Sequence, residues 1–470
     1  MVEHDVTSPA RETAQPKILI VGAGPAGVRC AATLVAAGVR PTVIDEGRRD
    51  GGQIYRRQPE GFRRSYRTLY GTEAARAEAI HHCFDDLRGR IEYLPEALAW
   101  NVAHTHLYVL QELRQLELAF DALVLCTGAT DRLLPVKGWN LAGTFSLGGA
   151  QVALKSQACA IGKAVVFLGT GPLLYLVASQ YLKAGARVAA VLDLSSWSTR
   201  VAALPGLLAA PTTLLEGLRL TAALRRAGVP MYSGVQPLEI LGTASAGVHG
   251  VTFKDARGER LTIDCDAVAL GLHLRPETQL ADLAGCEFRF DADTRQWVPR
   301  VDPDGRSSVS GVYLAGDGAR VLGAAAAEVA GRLAGIAVLE DMRLRAPQSE
   351  RAALRKRRSR LIRFARGLAR AFPWPAQHVC SLPDETVICR CESVTVGELR
   401  QIVRGTEAHE VNRAKAFSRV GMGRCQGRYC GHAAAEVIAD ATRVPIEQVG
   451  RLRAQAPVKP MPIAAAQEDA

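Results

Sequence analysis

Short apolar runs that end in glycine-rich turns divide the chain into repeating units. The runs 17–21 and 164–168 are mostly aliphatic, and such runs predict strands buried in a parallel sheet. Each is followed by a glycine turn, a helical run and a further strand, at 41–45 or at 187–192. A last apolar strand at 312–314 leads into a helix of small residues. The pattern predicts two α/β units, the second inserted between the beginning and the end of the first.

The first glycine turn has the spacing of a dinucleotide-binding loop. It consists of Gly22, Ala23, Gly24, Pro25, Ala26 and Gly27. In such loops the first glycine makes the tight turn, the second lets backbone approach a pyrophosphate, and the third allows close packing of helix on strand. The N–H groups at the helix N-terminus then bind the anion. Asp45, or Glu46 beside it, stands where an acid that bonds ribose hydroxyls is expected.

Three further segments favour FAD over NAD at this first site. The first segment is Gly51–Arg56, which contains Gly52 and Gln53; the second is the pair Thr127 and Gly128; and the third is the pair Gly316 and Asp317. The first resembles the Gly-Gly-Gln segment that runs past the FAD in thioredoxin-reductase-like flavoproteins. In two-dinucleotide-binding flavoproteins, an aspartate in the place of Asp317 bonds the ribityl chain. The resemblance therefore implies FAD.

The second glycine turn departs from the dinucleotide pattern at one position. It contains Gly169, Gly171, Pro172 and Leu174, and Asp193 ends the strand that follows. A leucine in place of the third small residue pushes the helix off the strand or crowds a pyrophosphate. Asp193 could bind a ribose, so NAD(P), another adenine nucleotide and an empty fold all stay open. Neither nucleotide region contains a redox dithiol, which argues against disulfide chemistry.

Four cysteines near the C-terminus have the spacing of a metal site. They are Cys389 and Cys391, one residue apart, and Cys425 and Cys430 further along. Structural zinc usually separates paired ligands by about two to four residues, so Cys-x-Cys is unusual for zinc. The whole pattern resembles the bacterioferritin-associated-ferredoxin-like [2Fe–2S] domain, which favours iron.

Two helices are predicted directly after the cysteine pairs. A capping box at 395–398 begins the first, and an alanine-rich run from about His432 forms the second. Helix N-termini would offer N–H groups to thiolates and sulfides. The nearby Arg390, Arg424 and Arg428 would either raise the reduction potential of a cluster or be solvated surface charges.

The net charge of +11 is concentrated in one segment, since residues 351–370 hold nine Lys and Arg and no acid. Apolar residues at helical spacing indicate that this segment is a helix docked on a neighbour. Nucleic-acid binding is disfavoured because no recognition fold accompanies the charge. The sequence predicts no transmembrane segment. We expect a cytoplasmic protein, or one held peripherally on the inner membrane face through its complex.

Six segments are expected. They are a disordered N-terminus (1–16), a discontinuous FAD-binding domain (17–160 and 245–340), a second nucleotide-binding domain (161–244, extending to about 275 on the wider definition), a basic linker and helix (341–383), a [2Fe–2S] domain (384–455) and a disordered tail (456–470). The predicted fold class is α/β: two nested dinucleotide-binding, Rossmann-like domains of the pyridine-nucleotide-disulfide-reductase type, plus a small helical C-terminal domain.

Taken together, these motifs resemble the FAD-binding α (A) subunit of heteromeric amino-acid dehydrogenases. That family includes opine oxidase, D-hydroxyproline and proline dehydrogenases, and hydrogen cyanide synthase. The resemblance implies that a partner β subunit, similar to D-amino-acid oxidase and carrying its own FAD, oxidises the amine. A small ferredoxin-like γ subunit is a further partner in some arrangements. This chain would hold FAD and [2Fe–2S] and pass electrons to a quinone or another acceptor.

Two other functions stay open from the sequence. A stand-alone NAD(P)H-dependent FAD/[2Fe–2S] oxidoreductase would use the second nucleotide site. Alternatively, the C-terminal domain would be an interaction module that docks a ferritin-like partner. We identify no catalytic acid, base or nucleophile in the sequence.

Overall fold

The computed structural model describes residues 16–62 and 64–466, so the expected disorder of 1–16 falls almost wholly outside the described residues. Its strands are β1 (Ile18–Val21), β2 (Thr42–Ile44), β3 (Glu92–Leu94), β4 (Ala97–Ala103), β5 (His106–Gln111), β6 (Arg114–Ala119), β7 (Ala122–Leu125), β8 (Ala129–Asp131), β9 (Thr144–Ser146), β10 (Ala164–Thr170), β11 (Arg187–Asp193), β12 (Met231–Ser233), β13 (Gln236–Thr243), β14 (Gly247–Lys254), β15 (Arg260–Asp264), β16 (Ala267–Leu272), β17 (Leu274–Pro276), β18 (Phe288–Asp291), β19 (Gln296–Pro299), β20 (Val312–Leu314), β21 (Val387–Cys389) and β22 (Val394–Thr395). Its helices are α1 (Pro25–Ala36), α2 (Tyr66–Tyr70), α3 (Ala74–Leu87), α4 (Leu147–Ser156), α5 (Pro172–Lys183), α6 (Trp197–Ala202), α7 (Leu204–Leu207), α8 (Pro211–Arg226), α9 (Gln279–Leu283), α10 (Ala324–Asp341), α11 (Gln348–Ala371), α12 (Val396–Thr406), α13 (Val411–Ser418), α14 (Gly431–Thr442) and α15 (Ile446–Val449). No helix among the described residues is long and apolar enough to cross a bilayer.

The first unit is a parallel sheet with strand order β20-β7-β1-β2-β3. Strand β1 is apolar throughout because both of its faces are covered. Ile18 and Ile20 pack against α1 and α10, whereas Leu19 and Val21 pack against the antiparallel sheet β4–β6. The glycine turn after β1 therefore lies at the carboxyl edge of the sheet, where nucleotides bind in this class of fold.

Helices α1 and α10 approach each other closely because the residues between them are small. A Cβ atom placed on Gly331 of α10 would overlap the carbonyl oxygen of Ala26 in α1. Gly335, one turn later, would collide with Thr33 in the same way. Helix α10, the predicted helix of small residues, begins at Ala324 and continues to Asp341.

The second unit repeats this architecture with the parallel order β12-β11-β10-β16-β9. Val165 and Phe167 of β10 face α4, α5 and α8, and Val166 and Leu168 face the antiparallel sheet β13–β15. The sheet includes Ala267–Leu272, which lies within the wider limit of about 275 for this unit, and Thr144–Ser146, which lies before its expected start at 161. The sequence pattern placed 144–160 in the first unit because parallel pairing joins segments that are far apart in the chain.

The C-terminal domain lies over the seam between the two units. The seam is formed by the antiparallel ribbon β8–β17, which is where the chain passes from one unit to the other and back. Leu134 and Leu272, beside this ribbon, share a hydrophobic core with Trp374, Ile388 and further residues of the C-terminal domain. The domain is therefore packed on the body of the protein.

Helix α11 forms in the basic segment and buries Leu354 and Phe364 on one face. The carboxylate of Asp304 accepts hydrogen bonds from Arg351 and Arg355 and ties the beginning of the helix to the first unit. Ion pairs with acidic side chains therefore neutralise part of the positive charge of this segment. The helix is docked on a neighbour, as the apolar spacing indicated.

Val458 and Lys459, which lie in the segment expected to be a disordered tail (456–470), contact the first unit. Val458 is buried, and its N–H donates to the carbonyl oxygen of Trp100 at 3.1 Å. The Lys459 ammonium pairs with the Glu46 carboxylate. The tail therefore packs on the first unit, at strand β4 and at the end of β2.

Candidate functional site

The first glycine turn is built so that only glycine fits at two of its positions. Gly22 has φ of 107°, and a Cβ atom on it would overlap the Cys126 carbonyl oxygen in the neighbouring strand. A Cβ atom on Gly27 would overlap the carbonyl oxygen of Gly22, because α1 lies directly against the turn. Helix α1 has no side-chain cap at Gly24, so its first N–H groups are available to an anion.

Asp45, the acid predicted to bond a ribose, holds the glycine turn in place. Its carboxylate oxygens accept hydrogen bonds from the N–H groups of Ala23, at 2.5 Å, and of Gly47, at 2.6 Å. Burial raises the pKa of Asp45, and these backbone donors oppose that effect. Glu46 beside it is half exposed and is engaged by Lys459.

The other residues predicted to contact FAD converge on the carboxyl edge of the first sheet. Asp317 is half-buried and accepts hydrogen bonds from the N–H groups of Leu322 and Gly323, at 2.8 and 3.0 Å, just before α10 begins. A Cβ atom on Gly318 would lie 2.6 Å from the Thr127 hydroxyl and 3.2 Å from the nitrogen of Gly128. Burial raises the pKa of the Asp317 carboxyl.

A cavity of about 1370 Å³ extends from the end of β2 and the Gly-Gly-Gln segment of the first unit to the four cysteines. Thr127, Gly128, Gly316 and Asp317 do not line it. Its walls include Asp45, Gly52 and Gln53 at one end, Thr144 and Ser156 of the second unit, and Cys389, Cys391, Cys425 and Cys430 at the other end. The Thr144 and Ser156 hydroxyls and Nε of Arg56 are buried and have no hydrogen-bond partner in the described chain. Such atoms fit a polar ligand, since buried donors and acceptors are normally paired.

The four cysteine side chains form one connected group, although no three metal-ligating side chains in the described chain are arranged around a single ion. The four thiols influence one another, since Cys430 interacts with both Cys389 and Cys425, and Cys425 interacts with Cys391. The interaction with Cys430 lowers the pKa of Cys389 to about 6 and that of Cys425 to about 5. An all-cysteine donor set with stabilised thiolates suits an iron–sulfur cluster.

Local structure explains why the cysteines meet. Cys389 ends β21, and Cys391 lies in the turn to β22, whereas Cys430 directly precedes α14. The predicted capping box is present, since the Thr395 hydroxyl accepts from the Glu398 N–H and the Glu398 carboxylate accepts from the Thr395 N–H. Both helix N-termini therefore lie close to the cysteine group in sequence.

Of the three arginines noted near the cysteines, Arg428 is buried, and it fastens the cysteine loop to the first unit. Its guanidinium donates to the Glu277 carboxylate at 2.8 Å and to the Val458 carbonyl oxygen at 2.7 Å. Arg390 lies over the ring of Trp139, and Arg424 is exposed at the cavity wall. The importance of Glu277 was not recognised in the sequence, although it directly follows the Gly-x-x-x-x-Pro turn at 271–276.

The second glycine turn has a different environment, in which the expected ribose-binding acid is enclosed. Asp193 accepts hydrogen bonds from the hydroxyls of Tyr175 and Ser195 and from Arg200, at 2.7 to 2.8 Å. The Arg200 guanidinium in turn lies over the rings of Trp197 and Phe372. No oxygen of this carboxylate faces an open site, which differs from the expectation for a ribose ligand.

The rest of the second turn is also closely packed. Leu174 is completely buried in the core between α5 and the sheet. Gly169 and Gly171 have φ of 154° and 104°, and Pro172 begins α5. The ring of His273 lies next to Gly171, and burial lowers the pKa of His273 to about 4. This histidine is therefore neutral near pH 7, and its side chain is half-buried.

Comparison with known proteins identifies both parts of the chain. The pyridine nucleotide-disulphide oxidoreductase family matches residues 16–335, and the BFD-like [2Fe–2S] binding domain matches residues 387–440. The A subunit of opine oxidase from Rhizobium meliloti is 37% identical over 95% of this chain and 86% of its own. The HcnB subunit of hydrogen cyanide synthase from Pseudomonas aeruginosa is 31% identical over 96% and 98%.

Solved structures confirm the predicted fold class. L-proline dehydrogenase from P. horikoshii superposes with a TM-score of 0.68 at 18% identity, covering 96% of this chain and 79% of that one. Thioredoxin reductase from T. acidophilum reaches 0.51 at 19% identity, over 70% and 99%. The second match covers a smaller share of this chain than the first, and that share is close to the share made up by the two α/β units.

Proposed function

We propose that this chain, which belongs to the pyridine nucleotide-disulphide oxidoreductase family and within it to the opine oxidase A and HcnB subunits, relays electrons from an amine-oxidising partner subunit to an acceptor. Its cofactors are FAD and a [2Fe–2S] cluster. The observation that carries the proposal is the cavity whose walls include Asp45, Gly52 and Gln53 of the predicted FAD site together with the four cysteines. A flavin takes two electrons and a cluster carries one at a time, so neighbouring sites suit a relay.

In the proposed arrangement the residues of this chain hold and separate the two cofactors. The N–H groups that follow Gly24 would bind the pyrophosphate, and Asp317 would lie at the ribityl chain. Cys389, Cys391, Cys425 and Cys430 would be the cluster ligands. The Thr144 and Ser156 hydroxyls, which lack partners in the described chain, would bind polar groups of whatever occupies the middle of the cavity.

The partner is proposed to be a subunit similar to D-amino-acid oxidase, with an opine, D-hydroxyproline or proline-like amino acid as its substrate and a quinone as the final acceptor. The support for the partner is that the relatives named above are themselves designated subunits. The enclosed carboxylate of Asp193 favours this function over a stand-alone NAD(P)H-dependent oxidoreductase.

The test is to purify the chain anaerobically together with its partner and to replace single cysteines with alanine. Cys389→Ala and Cys425→Ala should each lower iron and acid-labile sulfide to background while FAD is retained. Cys380→Ala and Cys159→Ala are the matched controls, since both thiols are exposed and lie outside the group.

Electron transfer is tested on the same preparations. Amino-acid substrate should reduce the flavin and the cluster of the wild-type complex, whereas NADH at low concentration should reduce neither. Zinc in place of iron, or rapid flavin bleaching by NADH without the partner, would contradict the proposal.

A further inference from the structure

Six large apolar side chains are exposed on three consecutive helices of the second unit. They are Trp197, Val201, Leu204, Leu208, Leu215 and Leu218, with exposed fractions between 43% and 61%. They fall within 22 residues and make up half of the large hydrophobic residues exposed in the described chain. Monomeric soluble proteins rarely leave apolar groups this concentrated in water without a binding role. We call this the α6–α8 surface.

Four of the six side chains have the spacing of one face of the α6–α7 segment, and α8 lies next to this segment. Trp197, Val201 and Leu204 follow the three-to-four-residue spacing of one helix face. The opposite face of the same helices is buried, since Ala203 and Leu207 pack against α11. Helix α8 returns alongside, because the guanidinium of Arg225 lies 5.5 Å from the Trp197 ring.

Basic residues extend along helix α11, which packs on the α6–α8 surface through its C-terminal half. Helix α11 packs directly on α7, where a Cβ atom on Gly206 would lie 2.8 Å from Cα of Gly367. The exposed cations of α11 that have no acidic partner among the described residues are Lys356, Arg357, Arg360, Arg363 and Arg370. On helix α8 Arg219 and Arg226 are exposed, and Glu216 is the sole acid from 197 to 226.

The combination of charge and apolar side chains decides what would cover this surface. A tryptophan and leucines beside unpaired Lys and Arg, with a single acid among them, are typical of surfaces that lie in the interface of an anionic bilayer. Lipid phosphates would neutralise the cations that the described chain leaves unpaired.

We propose that the α6–α8 surface, together with the exposed cations of α11, docks this protein on an anionic lipid bilayer. The attachment is peripheral and belongs to this chain, so it does not depend on the partner subunit or on the electron-transfer function proposed above. It would bring the protein to the membrane in which hydrophobic electron acceptors dissolve.

The test is co-sedimentation of the purified, cofactor-loaded protein with lipid vesicles. Vesicles that contain phosphatidylglycerol should bind the protein, vesicles of phosphatidylcholine alone should not, and binding should weaken as salt screens the charges. Trp197 emission should shift to the blue on binding and be quenched by brominated lipid. The Trp197→Phe variant should lose both spectral effects.

Two variants separate the apolar and basic contributions. Leu204→Asp should weaken vesicle binding about tenfold, the loss expected when one leucine is no longer buried. Arg360→Glu should weaken binding mainly at low salt. The matched control is Leu113→Asp, since Leu113 is 50% exposed on the turn between β5 and β6, and it should bind as wild type does. Flavin content and circular dichroism of each variant confirm folding.

Three results would overturn the proposal. The first is that the protein binds neither kind of vesicle. The second is that Leu204→Asp binds like wild type. The third is that the same substitutions abolish association with the partner subunit and leave vesicle binding unchanged, which would make this surface a subunit interface.

Discussion

Replacing Arg428 with glutamine should release the cysteine loop from the first unit. The substitution removes the ion pair to Glu277, at 2.8 Å, and the hydrogen bond to the Val458 carbonyl oxygen, at 2.7 Å. The two paired side chains are 10% and 12% exposed, so water cannot replace what is lost. Removing one partner of a buried pair typically costs about 3–5 kcal/mol. We expect the lower end, because Arg275 still faces the Glu277 carboxylate.

A loss of about 3 kcal/mol corresponds to a factor of roughly 100 in the docking equilibrium. Arg428→Gln should therefore lose iron and FAD on gel filtration and unfold at lower temperature in a calorimetric scan. Arg424→Gln is the matched control, since Arg424 lies in the same loop and is exposed. The double variant Arg428→Gln/Glu277→Gln should recover part of the stability, because no unpaired charge then remains.

The expected order of stability is wild type, then the double variant, then Arg428→Gln. If Arg428→Gln retained both cofactors as well as Arg424→Gln does, the seam would not depend on this ion pair. The C-terminal domain would then not be held by this ion pair as a fixed wall of the cavity.

Three further substitutions test other parts of the structure. Gly331→Ala should lower the free energy of unfolding by about 1–3 kcal/mol and reduce the FAD content on purification, because the added Cβ atom on α10 would overlap α1. Gly217→Ala is the control and should have neither effect, because a Cβ atom on Gly217 would meet open space. Arg200→Ala should lower the urea midpoint by leaving the buried Asp193 carboxylate unpaired. Burial raises the pKa of Asp304, but hydrogen bonds from arginines outweigh this and hold it below its usual value of 3.8. The ionised Asp304 carboxylate therefore contributes to the stability of the fold above about pH 4, and this contribution is lost as the pH falls below that value. Asp304→Asn should remove this pH dependence from acid-unfolding curves.

The sequence predicted those features of the fold that have local signals. These features are the buried strands, the glycine turn at 22–27 and the two helices after the cysteine pairs. Each of them is specified by residues that lie close together in the sequence. The four cysteines meet because the hairpin β21–β22 and the start of α14 are themselves local structures. Spacing along the chain was therefore enough to nominate the group.

Features that depend on distant residues could not be predicted in this way. Val458 and Trp100 are 358 positions apart, and residues 456–460 have no periodicity that would indicate a docked segment. The enclosure of Asp193 was missed because no arginine pair immediately follows this acid in the chain, whereas Arg200 reaches back to it from α6. The position of β9 was missed for a similar reason, since β9 precedes the expected start of the second unit and joins its sheet beside β16.

The way the C-terminal domain is attached bears on how electrons would pass through the protein. A mobile carrier needs a small, polar contact that opens readily. Here the contact includes a shared hydrophobic core with Leu134 and Leu272, and it is reinforced by the ion pairs Arg428–Glu277 and Arg451–Asp282. Opening it would expose that core and separate both pairs. The seam therefore favours transfer between two cofactors at a fixed separation, and it makes retention of one cofactor depend on the site of the other.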